Sequence, residues 1–284
     1  MSNAWLGFPQ KIPYSFLILH GFVDIEADNR NFVKRNGSIM KKKIKIGFLH
    51  PGEMGVSLAA SAINSGHQAL WTPEGRSTST RKRAEDHLLT EVSTLGELCD
   101  ACGVMVSVCP PAFALKVAEE VRNCGFREIY LDANAISPRH ALDIQSTMES
   151  AGIRFVDGGI IGGPAWQKDS TYLYLSGEYA EETASLFSGG PLVAEVIGTK
   201  AGRASALKMC YAAKTKGTTA LLCAVAATAE SLGVSRELQR QWNRDLPGSA
   251  EKTLAEISMA SVKAWRFTGK MEEIAETFNE ARVP

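Results

Sequence analysis

The turn between the first predicted strand and the first predicted helix has the residue types of a phosphate-binding site. Residues 44–49 form a short apolar run, and helical periodicity begins at Glu53. Glycines at 52 and 55 would let backbone N–H groups and the positive end of the helix approach a pyrophosphate. The full G-x-G-x-x-G motif also has glycine at position 50, where this chain has His50. A tight structural turn is the other interpretation, but the position between strand and helix favours nucleotide binding.

The loop after the second predicted strand, Gln68–Trp71, bears on which dinucleotide binds. A carboxylate at the end of that strand would bind the ribose hydroxyls of NAD, but Thr72 is there. The loop continues with Arg76 and Ser77, which could hold a 2′-phosphate and so favour NADP. Glu74 in the same loop has the opposite charge, and a solvated basic loop is the other interpretation. We predict that NADP is preferred over NAD.

One lysine has surroundings that suit proton transfer. Lys208 is preceded by alanine and leucine and followed by methionine and cysteine. Burial among such residues lowers a lysine pKa from about 10.4 towards 7–8, where the amine can act as a general acid or base. Helical spacing places Tyr211, Ala212 and Thr215 on the same face. An exposed helix lysine that reaches water is the other interpretation.

The composition excludes several functional classes. The chain has 284 residues, enough for roughly two domains. Its 31 basic and 31 acidic residues give a formal net charge of zero, so no global field favours nucleic acid or anionic lipid. No run reaches the roughly 18 apolar residues of a membrane helix. We therefore expect no nucleic-acid partner, no membrane association and a cytoplasmic location.

The cysteines do not indicate a metal or redox site. The chain has 6 cysteines, too few for a disulfide scaffold at this length. Cys99 and Cys102 have the spacing of a zinc or dithiol pair, but no second pair follows them. We interpret both as buried thiols, and we predict no metal site.

Strand and helix patterns alternate from residue 40 to residue 198. Such alternation, with helices of 10 to 15 residues, predicts an α/β fold with a Rossmann-type, doubly wound and mainly parallel sheet. Further strands are predicted at 104–109, 128–131, 154–156, 171–176 and 193–197, and helices at 53–65, 112–122 and 138–150.

The pattern changes near residue 198. Residues 201–232 have no strand signal, and 217–229 are uncharged, small or apolar. A helix that is apolar on all sides is buried in a core or against a partner subunit. Residue 237 to the end predicts two or three amphipathic helices. We assign a dinucleotide-binding Rossmann domain to 40–198 and an all-α domain for substrate binding and dimerisation to 199–284. Residues 1–39 are predicted to be an N-terminal extension that is non-native or disordered.

Several motifs resemble those of a known family. Their order and spacing resemble the β-hydroxyacid dehydrogenase superfamily, which includes 6-phosphogluconate and 3-hydroxyisobutyrate dehydrogenases. Residues 208–217 and 264–267 resemble the poorly characterised C-terminal domain of 6-phosphogluconate dehydrogenase-like proteins. The resemblance covers nearly all of 42–284, and relatives continue through another helix beyond 284. The motifs that carry it are residues 47–55, 106–111, 132–138, 157–163 and 202–208.

The resemblance implies roles for individual residues in binding the cofactor. Cys109 and Pro110 would lie against the nicotinamide ribose, and Asn134 would approach both nicotinamide and substrate. The residues that would hold the pyrophosphate are Leu49, His50, Pro51, Gly52, Glu53, Met54 and Gly55.

The resemblance also implies a substrate site. Gly162 and Gly163 would offer N–H groups to a substrate carboxylate, and Lys208 would be the catalytic lysine. Helix 201–232 would form the interface of a homodimer.

Four positions depart from the family pattern. Relatives carry asparagine where this chain has Ala212 and histidine or asparagine where it has Tyr211. Ile161 and Asn134 each replace a serine. Tyr211 would supply a replacement donor to the substrate, with Thr215 on the same helix face. We expect a bulkier or less charged substrate than an ordinary 3-hydroxyacid.

The function predicted from the sequence is that of an NADP-dependent oxidoreductase. It would transfer hydride between nicotinamide and a small hydroxyacid or related carbonyl compound, with Lys208 as general acid or base. Two alternatives remain open: an imine or keto reductase, and a cofactor-binding regulatory protein without turnover.

Overall fold

The computed structural model describes residues 43–262 and 267–283, and eight strands of that part form one sheet. The strands are short, except for the eight-residue β6. Their bounds are β1 Lys45–Phe48, β2 Gln68–Trp71, β3 Thr90–Glu91, β4 Val104–Ser107, β5 Ile129–Asp132, β6 Arg154–Ile161, β7 Tyr172–Ser176 and β8 Val193–Val196.

The order of the strands places the loops that form the site. The sheet runs β3-β2-β1-β4-β5-β6-β7-β8, and every neighbouring pair is parallel except β6 and β7. Strand order therefore reverses between β1 and β4. In open parallel sheets, ligands bind at such a reversal, outside the carboxyl ends of the strands. The turns after β1, β2, β4 and β5 all lie at that edge.

Helices cover both faces of the sheet and complete two hydrophobic cores. Strands buried on both faces carry continuous apolar runs, as in β4 and β5, whose residues are all buried. Trp71 is fully buried in one core and Tyr130 in the other. The helices along this part are α1 Glu53–Asn64, α2 Thr78–Asp86, α3 Leu95–Ala101, α4 Ala114–Asn123, α5 Pro138–Glu149 and α6 Ala180–Ala184.

The predicted doubly wound, mainly parallel sheet is confirmed, with local differences. The strand predicted at 154–156 continues to Ile161, because its Gly158 and Gly159 pair with β7 without interruption. The helix predicted at 112–122 begins as a 3₁₀ turn, Pro111–Phe113, before α4. The helix predicted at 138–150 begins at Pro138, and the Ser137 side chain accepts a hydrogen bond from the N–H of His140.

The described residues after β8 contain five α-helices. Residues 201–232 are not one helix, because a π-helical turn, Ala213–Gly217, separates α7 from α8. Within the described chain only Ala229 of α8 is buried, so its apolar side chains are not in the core of this chain. The helices are α7 Arg203–Ala212, α8 Thr218–Ser231, α9 Ser235–Asp245, α10 Ser249–Ser261 and α11 Thr268–Glu280.

The predicted domain division stays a prediction. Lys41–Pro284 packs as one unit, in which α7 lies directly on β6. The predicted extension, residues 1–39, lies outside the described residues. In the described part of the chain, no helix is both long enough and apolar enough to span a bilayer.

Candidate functional site

The turn between β1 and α1 is compact and open on one side. The N–H of Gly52 donates to the carbonyl oxygen of His50 (2.8 Å), and Val56 begins the helix by donating to Gly52 (2.9 Å). A Cβ at position 55 would collide with the His50 carbonyl, so the close turn requires glycine there. A Cβ at position 52 would meet nothing within 4 Å, and the N-cap residue, Gly52, makes no side-chain capping hydrogen bond. A helix start without such a cap can receive a phosphate on its first N–H groups.

A cavity of about 340 Å³ lies beside this turn. His50 and Arg76 both line it, although 26 residues separate them in sequence. Each has a buried nitrogen without a hydrogen-bond partner, Nδ1 of His50 and Nε of Arg76. Buried polar atoms normally have partners, so these two indicate a polar ligand. The other lining residues are Leu49, Thr72, Glu74, Gly75, Leu95, Val117, Glu120 and Val121.

The cavity has ionisable groups of both signs, Arg76 and His50 beside Glu74 and Glu120. Burial and the charge of Arg76 lower the pKa of His50 to about 4, so this imidazole is neutral near pH 7. Burial also lowers the pKa of Arg76, although Glu120 opposes that shift. Glu74 accepts a hydrogen bond from the N–H of Leu95 (3.3 Å), which ties its carboxylate to the start of α3.

Ser77 is not among the residues that line the cavity. Its hydroxyl accepts from the N–H of Thr80 (3.3 Å) and so caps α2. The structure therefore brings Leu49, His50 and Arg76 together, and it leaves Ser77 on an exposed helix start. A contact between Ser77 and a 2′-phosphate stays a prediction.

Asn134 is buried in a network that links β4 to β5. Its Oδ1 accepts from the N–H of Cys109 (2.5 Å), and its Nδ2 donates to Ser107 (3.1 Å) and Asp132 (2.8 Å). Both polar ends of the amide are therefore used within the protein. Asn134 fixes the loop of Cys109 and Pro110 at the carboxyl edge of the sheet, and its contact with nicotinamide or substrate stays a prediction.

Lys208 lies across the end of β6. Its ammonium group donates to the carbonyl oxygen of Ile160 (2.6 Å), and the side chain is half-buried. Burial lowers the pKa of Lys208 to about 8, with further lowering from the charges of Lys270 and Lys216. An amine with this pKa exchanges a proton readily near neutral pH.

Two residues of β6 determine where α7, and with it Lys208, lies. A Cβ at Gly159 would come within 2.6 Å of the Ala204 carbonyl oxygen and 3.1 Å of the Lys208 Cβ, so glycine allows α7 to approach. Asp157 accepts hydrogen bonds from the Ser205 hydroxyl (2.6 Å), the Ser205 N–H (3.1 Å) and the Ser176 hydroxyl (2.9 Å). The carboxylate thereby caps the first turn of α7.

Lys208, Lys216 and Lys270 form a lysine cluster that sequence reasoning missed. Lys216 belongs to the π-helical turn, where its ammonium lies 4.6 Å from the centre of the Phe267 ring. Burial and the charge of Lys216 lower the pKa of Lys270, on α11. In the described ranges, no carboxylate lies within 4 Å of any of the three ammonium groups. Such a cluster attracts an anion.

An acidic residue holds α11 beside the dinucleotide-binding part of the chain. Glu273 is buried and accepts from the N–H of Ser137 (2.7 Å), and it lies 2.8 Å from Nδ1 of His140. Both partners belong to the start of α5. This connection holds the helix that carries Lys270, and it could not be predicted from the sequence because the partners are more than 130 residues apart.

The remaining predicted substrate residues lie in different surroundings. Tyr211 is 46% exposed, and Thr215 donates to the carbonyl oxygens of Tyr211 and Ala212 (both 3.2 Å). Gly162 has φ +119°, and a Cβ at Gly163 would meet nothing within 4 Å, so this turn is open to solvent. Their contacts with a substrate stay predictions.

The cysteines and other metal-type ligands do not converge in the described residues. Burial raises the pKa values of Cys99 and Cys102 to about 12, so both are protonated thiols at neutral pH. Within the described ranges no three histidine, cysteine, aspartate or glutamate side chains are arranged to hold a metal ion.

Comparison with known proteins identifies the family. A family profile described as the NAD binding domain of 6-phosphogluconate dehydrogenase matches residues 45–187, half of the chain. The chain belongs to this family. Its C-terminal part, residues 229–284, matches a domain of unknown function, DUF1932. This confirms the resemblance found in the sequence motifs, including the poorly characterised C-terminal domain.

Three relatives of this 6-phosphogluconate dehydrogenase-like chain differ in how much is known about them. A conserved protein of unknown function, MTH1747, whose structure is described as similar to 3-hydroxyacid dehydrogenases, is 31% identical, with a TM-score of 0.65 over 84% of this chain and 90% of that one. An uncharacterized 28.5 kDa protein from Methanothermus fervidus is 30% identical over 195 residues, 69% of this chain and 74% of that protein. The 3-hydroxyisobutyrate dehydrogenase of Mycobacterium tuberculosis is 18% identical, with a TM-score of 0.56 over 72% of each chain, and shows the fold alone.

The residues of this family member fit a dinucleotide. Gly52 leaves α1 without a side-chain cap from its N-cap residue, and the cavity beside it is lined by two side chains that each have a buried nitrogen atom without a partner. The family and the geometry together support an NAD(P)-binding domain of an oxidoreductase similar to hydroxyacid dehydrogenases.

Proposed function

We propose that the protein is an NADP-dependent oxidoreductase that acts on a small hydroxyacid or a related carbonyl compound. The observation that carries the proposal is Lys208, whose half-buried ammonium lies on the Ile160 carbonyl at the end of the sheet strand that follows the cofactor-binding loops. The bound dinucleotide would supply the hydride or accept it. Turnover of NADPH or NADP⁺ that depends on Lys208 is the test, described in the Discussion.

Lys208 acts in this proposal as the group that moves a proton. In oxidation the neutral amine takes the hydroxyl proton, and in reduction the ammonium gives a proton to the carbonyl oxygen. Its hydrogen bond to Ile160 holds Nζ at one position. Asp157 and Gly159 keep α7 against β6, so the amine does not depend on a mobile helix for its placement.

The pH dependence of the reaction should follow Lys208. With a pKa of about 8, Lys208 is largely neutral above pH 8, so oxidation should rise with pH and level off there. Lys270→Met removes a neighbouring positive charge, which raises the pKa of Lys208 and moves the rise to higher pH. Initial rates with NADP⁺ from pH 6 to 10 would measure the shift. The matched control is Lys214→Met, at an exposed lysine of the π-helical turn that follows α7. If the pH profile of Lys270→Met coincides with that of this control, Lys208 is not the group whose titration sets the rate.

The proposal favours NADP because of Arg76. Its guanidinium faces the cavity with Nε unpaired, Thr72 occupies the usual place of a ribose-binding carboxylate, and Glu74 is tied to Leu95. A guanidinium is well suited to a phosphate that NAD lacks.

Arg76→Gln should weaken the binding of NADP⁺ by about 10–100-fold, since a hydrogen bond to a charged group contributes about 1.5–3 kcal/mol. The affinity for NAD⁺ should change little. Calorimetric titration with each nucleotide measures the ratio of the two affinities. Arg81→Gln is the control, because Arg81 on α2 forms an ion pair with Glu91 on β3 (3.2 Å). An equal loss for both nucleotides would show that Arg76 does not read the 2′-phosphate.

The lysine cluster supports an anionic substrate. Three ammonium groups share one region without a carboxylate within 4 Å in the described chain. This favours a carboxylate-bearing hydroxyacid and argues against the less charged substrate expected from the departures at Ile161 and Ala212.

The proposal includes a homodimer formed through α8. Residues 218–229 of this helix carry no charge, and Leu221 among them is 64% exposed, as at a surface that a partner subunit covers. Light scattering should give the mass of a dimer, and Leu221→Glu should give a monomer. Leu115→Glu, at an exposed leucine of α4, is the control. A monomeric unmodified protein would contradict the dimer.

A further inference from the structure

His50 stands where a complete dinucleotide-binding motif has glycine, and its side chain enters the cavity with Arg76. The two residues come from different turns, after β1 and after β2, which the parallel pairing of those strands brings together. A histidine at this position therefore adds a titratable group to the walls of the cavity. The turn itself keeps its compact geometry, with Gly52 donating to the His50 carbonyl (2.8 Å).

The cavity leaves hydrogen-bonding capacity unused on both side chains. Nδ1 of His50 and Nε of Arg76 are each buried and without a partner. An unpaired buried polar group is unfavourable, so two in one cavity indicate a ligand that bonds to both. A phosphate group has several acceptor oxygens and two negative charges, and it can accept from both side chains once the imidazole is protonated.

We propose that His50 is a second binding group for the 2′-phosphate of NADP, and that it takes up a proton from solvent when the phosphate binds. This rests on the proposed preference for NADP. The only chemical step is a proton transfer: an N–H bond forms on the imidazole as the buffer acid gives up its proton, and no other covalent bond changes as the dianion enters.

The charged groups around His50 determine whether the imidazole takes up a proton or releases one when the phosphate binds. Arg76 is the neighbour whose charge keeps the imidazole neutral in the free protein, where burial is the larger cause of its pKa of about 4. Glu74 and Glu120 face the cavity from the β2 loop and from α4. From α2, Arg83 donates to the Pro51 carbonyl (3.4 Å), and the Cys109 thiol, with a pKa raised to about 12, is uncharged.

A bound dianion shifts the protonation equilibrium of His50 towards the charged imidazolium. It neutralises Arg76 and attracts the imidazolium, so the pKa of His50 rises in the complex. By linkage, NADP⁺ then binds more tightly as the pH falls from 8 to 6.5, by up to about tenfold per pH unit. NAD⁺ has no 2′-phosphate, so its affinity should not vary in this way.

Calorimetry in two buffers of different ionisation enthalpy tests the proposal on the full chain. At pH 7, NADP⁺ binding to the unmodified protein should take up a fraction of a proton, up to one, and NAD⁺ binding should not. His50→Gln, which keeps a donor but cannot titrate, should lose that uptake and bind NADP⁺ more weakly, by about tenfold. Subtracting this variant removes the contribution of protonation of the phosphate itself.

Controls separate the possible failures. His87→Gln changes a histidine that stacks on Trp166 (ring centres 4.6 Å apart) and should behave as the unmodified protein. Thermal unfolding without nucleotide checks that His50→Gln is folded. If NADP⁺ binds and proton uptake is the same in the unmodified protein and in His50→Gln, the role of His50 is overturned while NADP dependence stands. If NAD⁺ binds and NADP⁺ does not, the proposed cofactor is wrong and the inference falls with it.

Discussion

Replacing Lys208 with alanine is expected to lower kcat by about 10²–10⁴-fold, the contribution typical of a positioned general acid or base. Binding of NADPH should survive, because Lys208 belongs to α7, contacts β6 and is not among the residues that line the cavity of His50 and Arg76. The measurement is oxidation of a panel of short 3-hydroxyacids with NADP⁺, followed by nicotinamide absorbance, beside a separate NADPH titration.

Lys200→Ala is the matched control for this experiment. Lys200 is an exposed lysine just before α7, so its removal should leave kcat unchanged. Turnover by Lys208→Ala at the level of the unmodified protein would exclude Lys208 as the catalytic group. NADPH binding without turnover of any compound by the unmodified protein would instead favour the regulatory alternative.

Replacing Asp157 with alanine should have the largest effect on stability, about 3 kcal/mol or more. The carboxylate accepts three hydrogen bonds from Ser205 and Ser176, and alanine leaves these buried donors without an acceptor. It also removes the cap of α7, worth about 1 kcal/mol. Chemical denaturation followed by circular dichroism measures the change in the free energy of unfolding.

Two variants make the Asp157 prediction specific. Asp157→Asn keeps an acceptor oxygen and should cost less than alanine, whereas Ser176→Ala removes one donor and should cost about 1 kcal/mol. If Asp157→Ala were as stable as Ser176→Ala, the carboxylate would not be what holds α7. Because α7 carries Lys208, we also expect Asp157→Asn to lower kcat more than it changes the affinity for NADPH.

The sequence predicted the sheet well because its strands are buried on both faces. The apolar runs of β1, β2, β4 and β5 stand out from the polar helices between them, and the structure places each within one or two residues of the predicted bounds. Helix α2 was missed because Ala84 is its one buried residue, so the segment has no apolar periodicity. Helix α3 was missed because it is only seven residues long.

The candidate site was predictable where it depends on local motifs. The turn from Leu49 to Gly55 could be named from sequence because a strand, a turn and a helix define it, and Lys208 could be named from its apolar neighbours together with the family resemblance. The lysine cluster could not be named from sequence, because Lys208 and Lys270 come near each other only when α11 packs against α7 and α5.

Asn134 shows how tertiary contacts change the role assigned to a motif residue. The motif places it near nicotinamide, but neighbouring strands bring Ser107 and Asp132 to its amide group. The structure therefore supports a positioning role for Asn134, through the loop of Cys109.

We propose that this chain binds NADP at the turn between β1 and α1, and thermal unfolding of the full chain with NADPH, NADP⁺, NADH and NAD⁺ is the measurement to make first. A nucleotide at 100 times its dissociation constant adds about 2.7 kcal/mol to the free energy of unfolding, which gives a clear rise in Tm. We expect such a rise with NADPH and NADP⁺ and a smaller one with NADH and NAD⁺ at equal concentration. If Tm is unchanged with all four nucleotides, the proposed cofactor site is wrong.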